Sequence, residues 1–159
     1  MPNGFALAWQ SVQVVLMAMI PLGELRVSIP FAMGVHEMAG SQAFLLSVLG
    51  NMLPVVPLLL FLEPVSNWLR RYRLFDRFFD WLFARTRRYS AKMERYGALA
   101  LAPFVAIPLP VTGAWTACAI AFVFGIRARY AFPSIFAGVL GAGVIVTLSC
   151  MGVLAIAGV

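Results

Sequence analysis

"ALALAPFVAIPLPVTGAWTACAIAFVFGI", Ala98 to Ile126, runs for 29 residues without a charged side chain, and Pro108, Pro110, Thr112 and Gly113 interrupt it near its middle. As one straight helix it would reach about 43 Å at 1.5 Å per residue, against a hydrocarbon core of about 30 Å. Backbone that leaves a helix at membrane depth must be covered by protein or line a water-filled cavity. The stretch therefore reads as a re-entrant hairpin: two apolar arms, each about half a membrane thick, joined at a broken tip from Pro108 to Gly113.

The rest of the chain supports a bilayer setting. Hydrophobic residues make up 62% of its 159 residues and charged ones 11%, with a mean hydropathy of +0.92, where a soluble domain carries about 25% charge. Apolar blocks run from Phe5 to Leu22, Ser41 to Leu62, Ala98 to Ile126 and Tyr130 to Val159. The first ends in "IPLGELRVSIPFAMG", where Pro21, Gly23, Glu24, Arg26, Ser28 and Pro30 crowd into ten positions, which predicts a second broken tip. No Lys or Arg precedes Arg26, so the basic start of a cleavable signal is missing and the N-terminus is expected to be retained.

Sliding the chain by 87 positions lays Ile20-Pro21-Leu22 on Ile107-Pro108-Leu109, Ala32 on Ala119, Ser47 on Ser134 and Leu53 on Leu140. The shared order is apolar arm, Pro-Leu tip, apolar arm, polar break and spanning segment. The expected fold is an all-α integral membrane protein: an inverted repeat of two units, each a re-entrant helical hairpin plus a transmembrane helix. Residues 1–62 form the first unit, 63–97 a basic amphipathic connector and 98–159 the second, all within one membrane domain.

Nine of the twelve basic residues lie between Arg70 and Arg95. In "NWLRRYRLFDRFFDWLFARTRRYSAKMERYG" apolar Trp68, Leu69, Tyr72, Phe75, Phe79 and Leu82 alternate with charges, as in a helix of the headgroup layer. The net charge of +6 is thus assigned to topology and anionic lipid, with no nucleic-acid partner expected. Arg127 and Arg129 fall on the same side, whereas "GVHEMAGSQ" has no Lys or Arg. By the positive-inside rule the basic connector is cytoplasmic, leaving both termini outside; the expected location is a prokaryotic inner membrane. His36 and Glu37 are expected as a solvated pair in the outer loop.

Glu24 and Arg26 are the sharpest polar signal. An ionisable side chain at membrane depth costs about 2.5–3.5 kcal/mol on insertion scales, so it pairs, faces a cavity or has a function. Two positions apart, they diverge on a regular helix but can converge at a broken tip. One reading is a Glu24–Arg26 or Arg26–carbonyl contact that pins the hairpin; the other has Arg26 binding an anionic group while Glu24 exchanges a proton or balances charge. At the second tip, a half-helix opening near Gly113 would aim N–H groups and its dipole at a phosphate or carboxylate, with Thr112 and Thr116 adding hydroxyls and Trp115 a wall. Asn51 and Ser134 lie in the spans beside Gly50 and Gly138, where packing competes with substrate contact. Cys118 and Cys150 read as packing residues. No P-loop, GxSxG or HExxH motif occurs, so neither enzyme chemistry, nor a cofactor, nor a metal site is expected.

At these residues the chain resembles the small multi-drug export proteins. The likeness is carried by "GELRVSIPFAMG" (Gly23 to Gly34), Gly50-Asn51, Arg95-Tyr96-Gly97 and "VAIPLPVTGAW" (Val105 to Trp115), and covers nearly the whole length. Val27 and Val111 stand where that family commonly has glycine. The family is similar in turn to the DedA and VTT proteins, for which paired re-entrant hairpins, an inverted repeat and movement of polyprenyl phosphates or phospholipids have been proposed. The resemblance implies Glu24, Arg26, Pro108, Pro110, Thr112 and Gly113 as site positions.

The expected function is a small transporter or lipid translocase for an anionic amphiphile, with proton coupling through Glu24. The alternatives are an exporter of amphiphilic cationic drugs and a non-transporting membrane scaffold. Two hairpins and two spans leave little protein to cover the hairpin flanks, so a homodimer or larger assembly is expected.

Overall fold

The computed structural model describes residues 4–21, 23–69, 91–107, 113–124 and 126–157. Regular structure among them consists of six helices: α1 (Gly4–Met19), α2 (Glu24–Gly34), α3 (Gly40–Leu69), α4 (Ala91–Ala106), α5 (Ala114–Val123) and α6 (Ala128–Ala157). Gly40–Phe61 in α3 and Ala128–Ile156 in α6 are long and apolar enough to cross a membrane.

Helix ends fall where the local chemistry puts them. Beyond α1, the N–H groups of Gly23 and Glu24 both turn back to the Ile20 carbonyl, at 3.3 and 3.1 Å. Proline at 108 disfavours a helical residue before it, and α4 ends at Ala106. Gly113 is extended (φ −166°, ψ 179°) and opens α5. At about 1.5 Å per residue α2 and α5 are about 16 and 15 Å long, but α1 and α4 are about 24 Å. α4 begins at Ala91, ahead of the arm expected from Ala98, and α1 is likewise longer than α2. α3 continues through Pro64 to Leu69, so both helices run into the segment expected as connector. The core of the connector, 70–90, lies outside the described residues.

α3 and α6 form the centre. A Cβ on Gly40 would meet the Thr147 methyl and one on Gly143 the Phe44 ring, so the two helices run antiparallel. α1 packs on α3 and α4 on α6, while α2 also reaches α6 and α5 also reaches α3. Exchanging α1, α2 and α3 with α4, α5 and α6 maps this set of packed pairs onto itself. The closest crossings correspond too. A Cβ on Gly50 would stand 2.5 Å from the Val15 carbonyl oxygen and 2.8 Å from the Ala18 Cβ; one on Gly138 would stand 2.6 Å from both the Ala102 carbonyl oxygen and the Val105 Cβ. Val15 and Ala102, like Ala18 and Val105, are 87 positions apart. Val14, Ile29, Val55, Val105, Ile135 and Val139 are fully buried between these helices.

Candidate functional site

Glu24 is the first residue of α2, and its φ of 46° places a non-glycine residue in the left-handed region. That conformation costs about 1–3 kcal/mol and persists only where surrounding contacts hold it. Here the contacts are evident: the carboxylate accepts the backbone N–H groups of Ala114 and Trp115, the first two residues of α5. These are N–H groups that a helix leaves without an internal partner, and the dipole of α5 favours negative charge there. An anion was expected at this helix end, and the protein's own Glu24 occupies it.

Gly113 makes the approach possible. A Cβ at this position would overlap both carboxylate oxygens of Glu24, so glycine is required by space and not by its extended backbone. The Trp115 indole donates to the Met19 carbonyl at 3.2 Å, capping the last turn of α1. Arg26 reaches the other way, its Nη2 lying 3.4 Å from the Ile107 carbonyl oxygen at the end of α4. Each turn is thereby fastened to the other through side chain to backbone contacts. Arg26 is half-buried while Glu24 is buried, and the guanidinium acts on the carboxylate through charge.

Asn51 of α3 faces Glu24, but neither end of its amide completes a well-formed hydrogen bond. It is wholly buried, as are Ser28 and Ser47, whose hydroxyls likewise lack partners. Cys118, buried on α5, is close enough to Glu24 to feel its charge. Thus Glu24, Asn51, Gly113 and Trp115 come together, and Arg26 sits at their edge. Pro108, Pro110 and Thr112 lie outside the described residues. Ser134 is spent within its own helix, donating to the Tyr130 carbonyl at 3.1 Å. His36 is not the solvated loop residue expected: its ring meets Phe31 edge-on at 4.8 Å and its buried Nε2 has no partner.

The grouping begins at the residue where a family match also begins. Residues 24–145 match the family described as "Putative small multi-drug export protein". The chain belongs to that family. Membership and the two long apolar helices together make it a membrane protein of export type. No curated protein and no solved structure matches the chain, so kinship with the DedA and VTT proteins remains an expectation of the sequence. Within this export protein, reading the sequence missed Ser28 and Ser47 as site residues. The available signal was spacing: Glu24 and Ser28, and Ser47 and Asn51, are each four apart and so share a helix face.

Proposed function

We propose that this protein is a small membrane transporter whose substrate passes the junction of the two turns, with Arg26 meeting the anionic head of an amphiphile such as a phospholipid or polyprenyl phosphate. The observation that carries the reading is the Glu24 carboxylate held at the N-terminus of α5 in a strained backbone. Strain kept at a buried charge marks a place where arrangement matters more than stability. Glu24 balances charge there and exchanges a proton as the site changes state.

The antiparallel α3 and α6 and the matching close crossings support an inverted repeat, and the short α2 and α5 suit re-entrant arms. In this arrangement the basic connector faces the cytoplasm, and a second copy of the chain covers the hairpin flanks. Export of amphiphilic cations is the second reading, favoured by the family description; Glu24 is then the counter-charge.

The test is reconstitution into liposomes, following a labelled phospholipid, a polyprenyl phosphate and a cationic dye. Glu24→Gln and Arg26→Lys should each lower movement of the anionic probes at least tenfold, about 1.4 kcal/mol on the barrier. Unaltered movement in both variants overturns the reading. Movement of the dye alone, lost in Glu24→Gln, selects the second one, and no movement of any probe by intact protein favours a scaffold.

A further inference from the structure

The hydroxyls of buried Ser28 and Ser47 have no hydrogen-bond partner, and buried Asn51, which faces Glu24, completes no well-formed bond at either end of its amide. Buried polar groups in native proteins are nearly always paired, and exceptions call for a specific explanation. Serines elsewhere in this chain show how easily the need is met. Ser11, Ser134 and Ser149 each donate to the carbonyl four residues back in their own helix. Ser134 lies 87 positions after Ser47, at the corresponding place in the other half. Ser47 forgoes the bond that Ser134 makes.

The register of the two helices brings these groups together. Glu24 at the start of α2 faces Asn51, and a Cβ on Gly40 would lie 3.6 Å from the methyl of Met33 near the other end of α2, so α2 and α3 are antiparallel. In that register, one turn along each helix from the Glu24 and Asn51 pair, Ser28 and Ser47 fall at facing positions. The next sets Ala32 against Ala43, both fully buried, which closes the seam with small apolar residues. Four side chains bearing oxygen thus line a buried seam, and only one is a carboxylate. A carboxylate offers about four lone-pair directions, and the Ala114 and Trp115 N–H groups use two of them.

We propose that Glu24, Ser28, Ser47 and Asn51 bind a small monovalent cation, sodium, in the seam between α2 and α3. Carboxylate, hydroxyl and amide oxygens are hard donors suited to such an ion. One carboxylate among neutral oxygens, already shared with the N-terminus of α5 and with Arg26 at the edge of the site, suits at most a single positive charge, whereas calcium sites recruit several carboxylates. With the ion bound, the Asn51 amide nitrogen donates to Glu24 and its oxygen faces the ion. Glu24 then bridges the ion and the N-terminus of α5, so cation occupancy sets how firmly the two turns are joined. The inference concerns the same site as the transport reading but stands without it, because ion binding is measured on protein that is moving nothing.

The experiment is thermal unfolding of the purified full chain in mild detergent, in sodium, potassium or choline chloride at equal ionic strength, with equilibrium binding of radioactive sodium alongside. Sodium should raise Tm saturably by roughly 5 °C or more, as expected for a ligand bound to the native state alone, and potassium should not. Asn51→Ala and Ser47→Ala should remove the sodium-dependent rise. Ser11→Ala and Ser149→Ala, outside the seam, should retain it. If the intact chain melts identically in all three salts and binds no radioactive sodium, the proposal is overturned. That comparison needs no variant, so it decides the matter even if Asn51→Ala fails to fold. Sodium binding by an intact chain that moves no probe in liposomes would count against the transport reading alone.

Discussion

Gly113 exerts its effect through the atom it lacks. Adding one methyl there, Gly113→Ala, puts a Cβ into the Glu24 carboxylate and forces it off the Ala114 and Trp115 N–H groups, leaving a buried charge and two helix-end donors without their partners. A buried polar group left unpaired costs about 1–3 kcal/mol, so Gly113→Ala should lower thermal stability by several degrees and abolish transport. Gly34→Ala, where an added Cβ meets nothing within 4 Å, should leave both near wild type. Equal melting temperatures for the two variants would show that the carboxylate does not depend on the glycine. Much of this site was legible in the sequence, since Glu24, Gly113, Trp115 and Asn51 all stand out by polarity or backbone freedom in an apolar setting. What composition does not contain is direction. That the α5 N–H groups meet Glu24, and that Trp115 reaches the α1 carbonyl, are consequences of packing between segments about 90 positions apart.

Helix crossings repeat that dependence on missing atoms at a larger scale. Gly50 admits α1 onto α3 and Gly138 admits α4 onto α6, each with a neighbouring carbonyl oxygen where a Cβ would lie. Neither carbonyl can move without bending its helix, and overpacking of this kind costs about 1–3 kcal/mol. Gly50→Ala and Gly138→Ala should therefore destabilise by comparable amounts in a melting assay, and the double variant by about their sum, because the crossings share no residue. Gly152→Ala, with open space around it, serves as the control. A clear loss in one half and none in the other would mean that the correspondence between the crossings is only geometric. The apolar blocks foretold α3 and α6 closely because length and hydropathy are local quantities. The arms were foretold less well: breakers locate turns, but how far α1 and α4 extend past them depends on the helices they pack against.

The orientation of the whole molecule follows from antiparallel α3 and α6 if both cross the bilayer, and it is open to a direct chemical test. Crossing in opposite directions, they place the turn at 35–39 on one side of the membrane and Arg127 with Arg129 on the other side, together with the C-terminal end of α3. Single cysteines at Val35, 65% exposed, and at Arg129, exposed at the start of α6, report the two sides, and one at Val111 reports the second turn. Cys118 must first become alanine, not serine, because a new hydroxyl beside Glu24 would compete for its charge; Cys150 can be replaced in the same way. With a membrane-impermeant thiol reagent on intact cells, Val35→Cys should label fully and Arg129→Cys should label only after permeabilisation. If the second turn is re-entrant, as proposed above, Val111→Cys should react slowly, because such a turn reaches neither surface. Labelling of Val35→Cys and Arg129→Cys from the same side would remove the inverted repeat. Rapid labelling of Val111→Cys would make its turn a surface loop and α4 and α5 full crossings, a role for which α5, at ten residues, falls well short of the about 20 that a span requires.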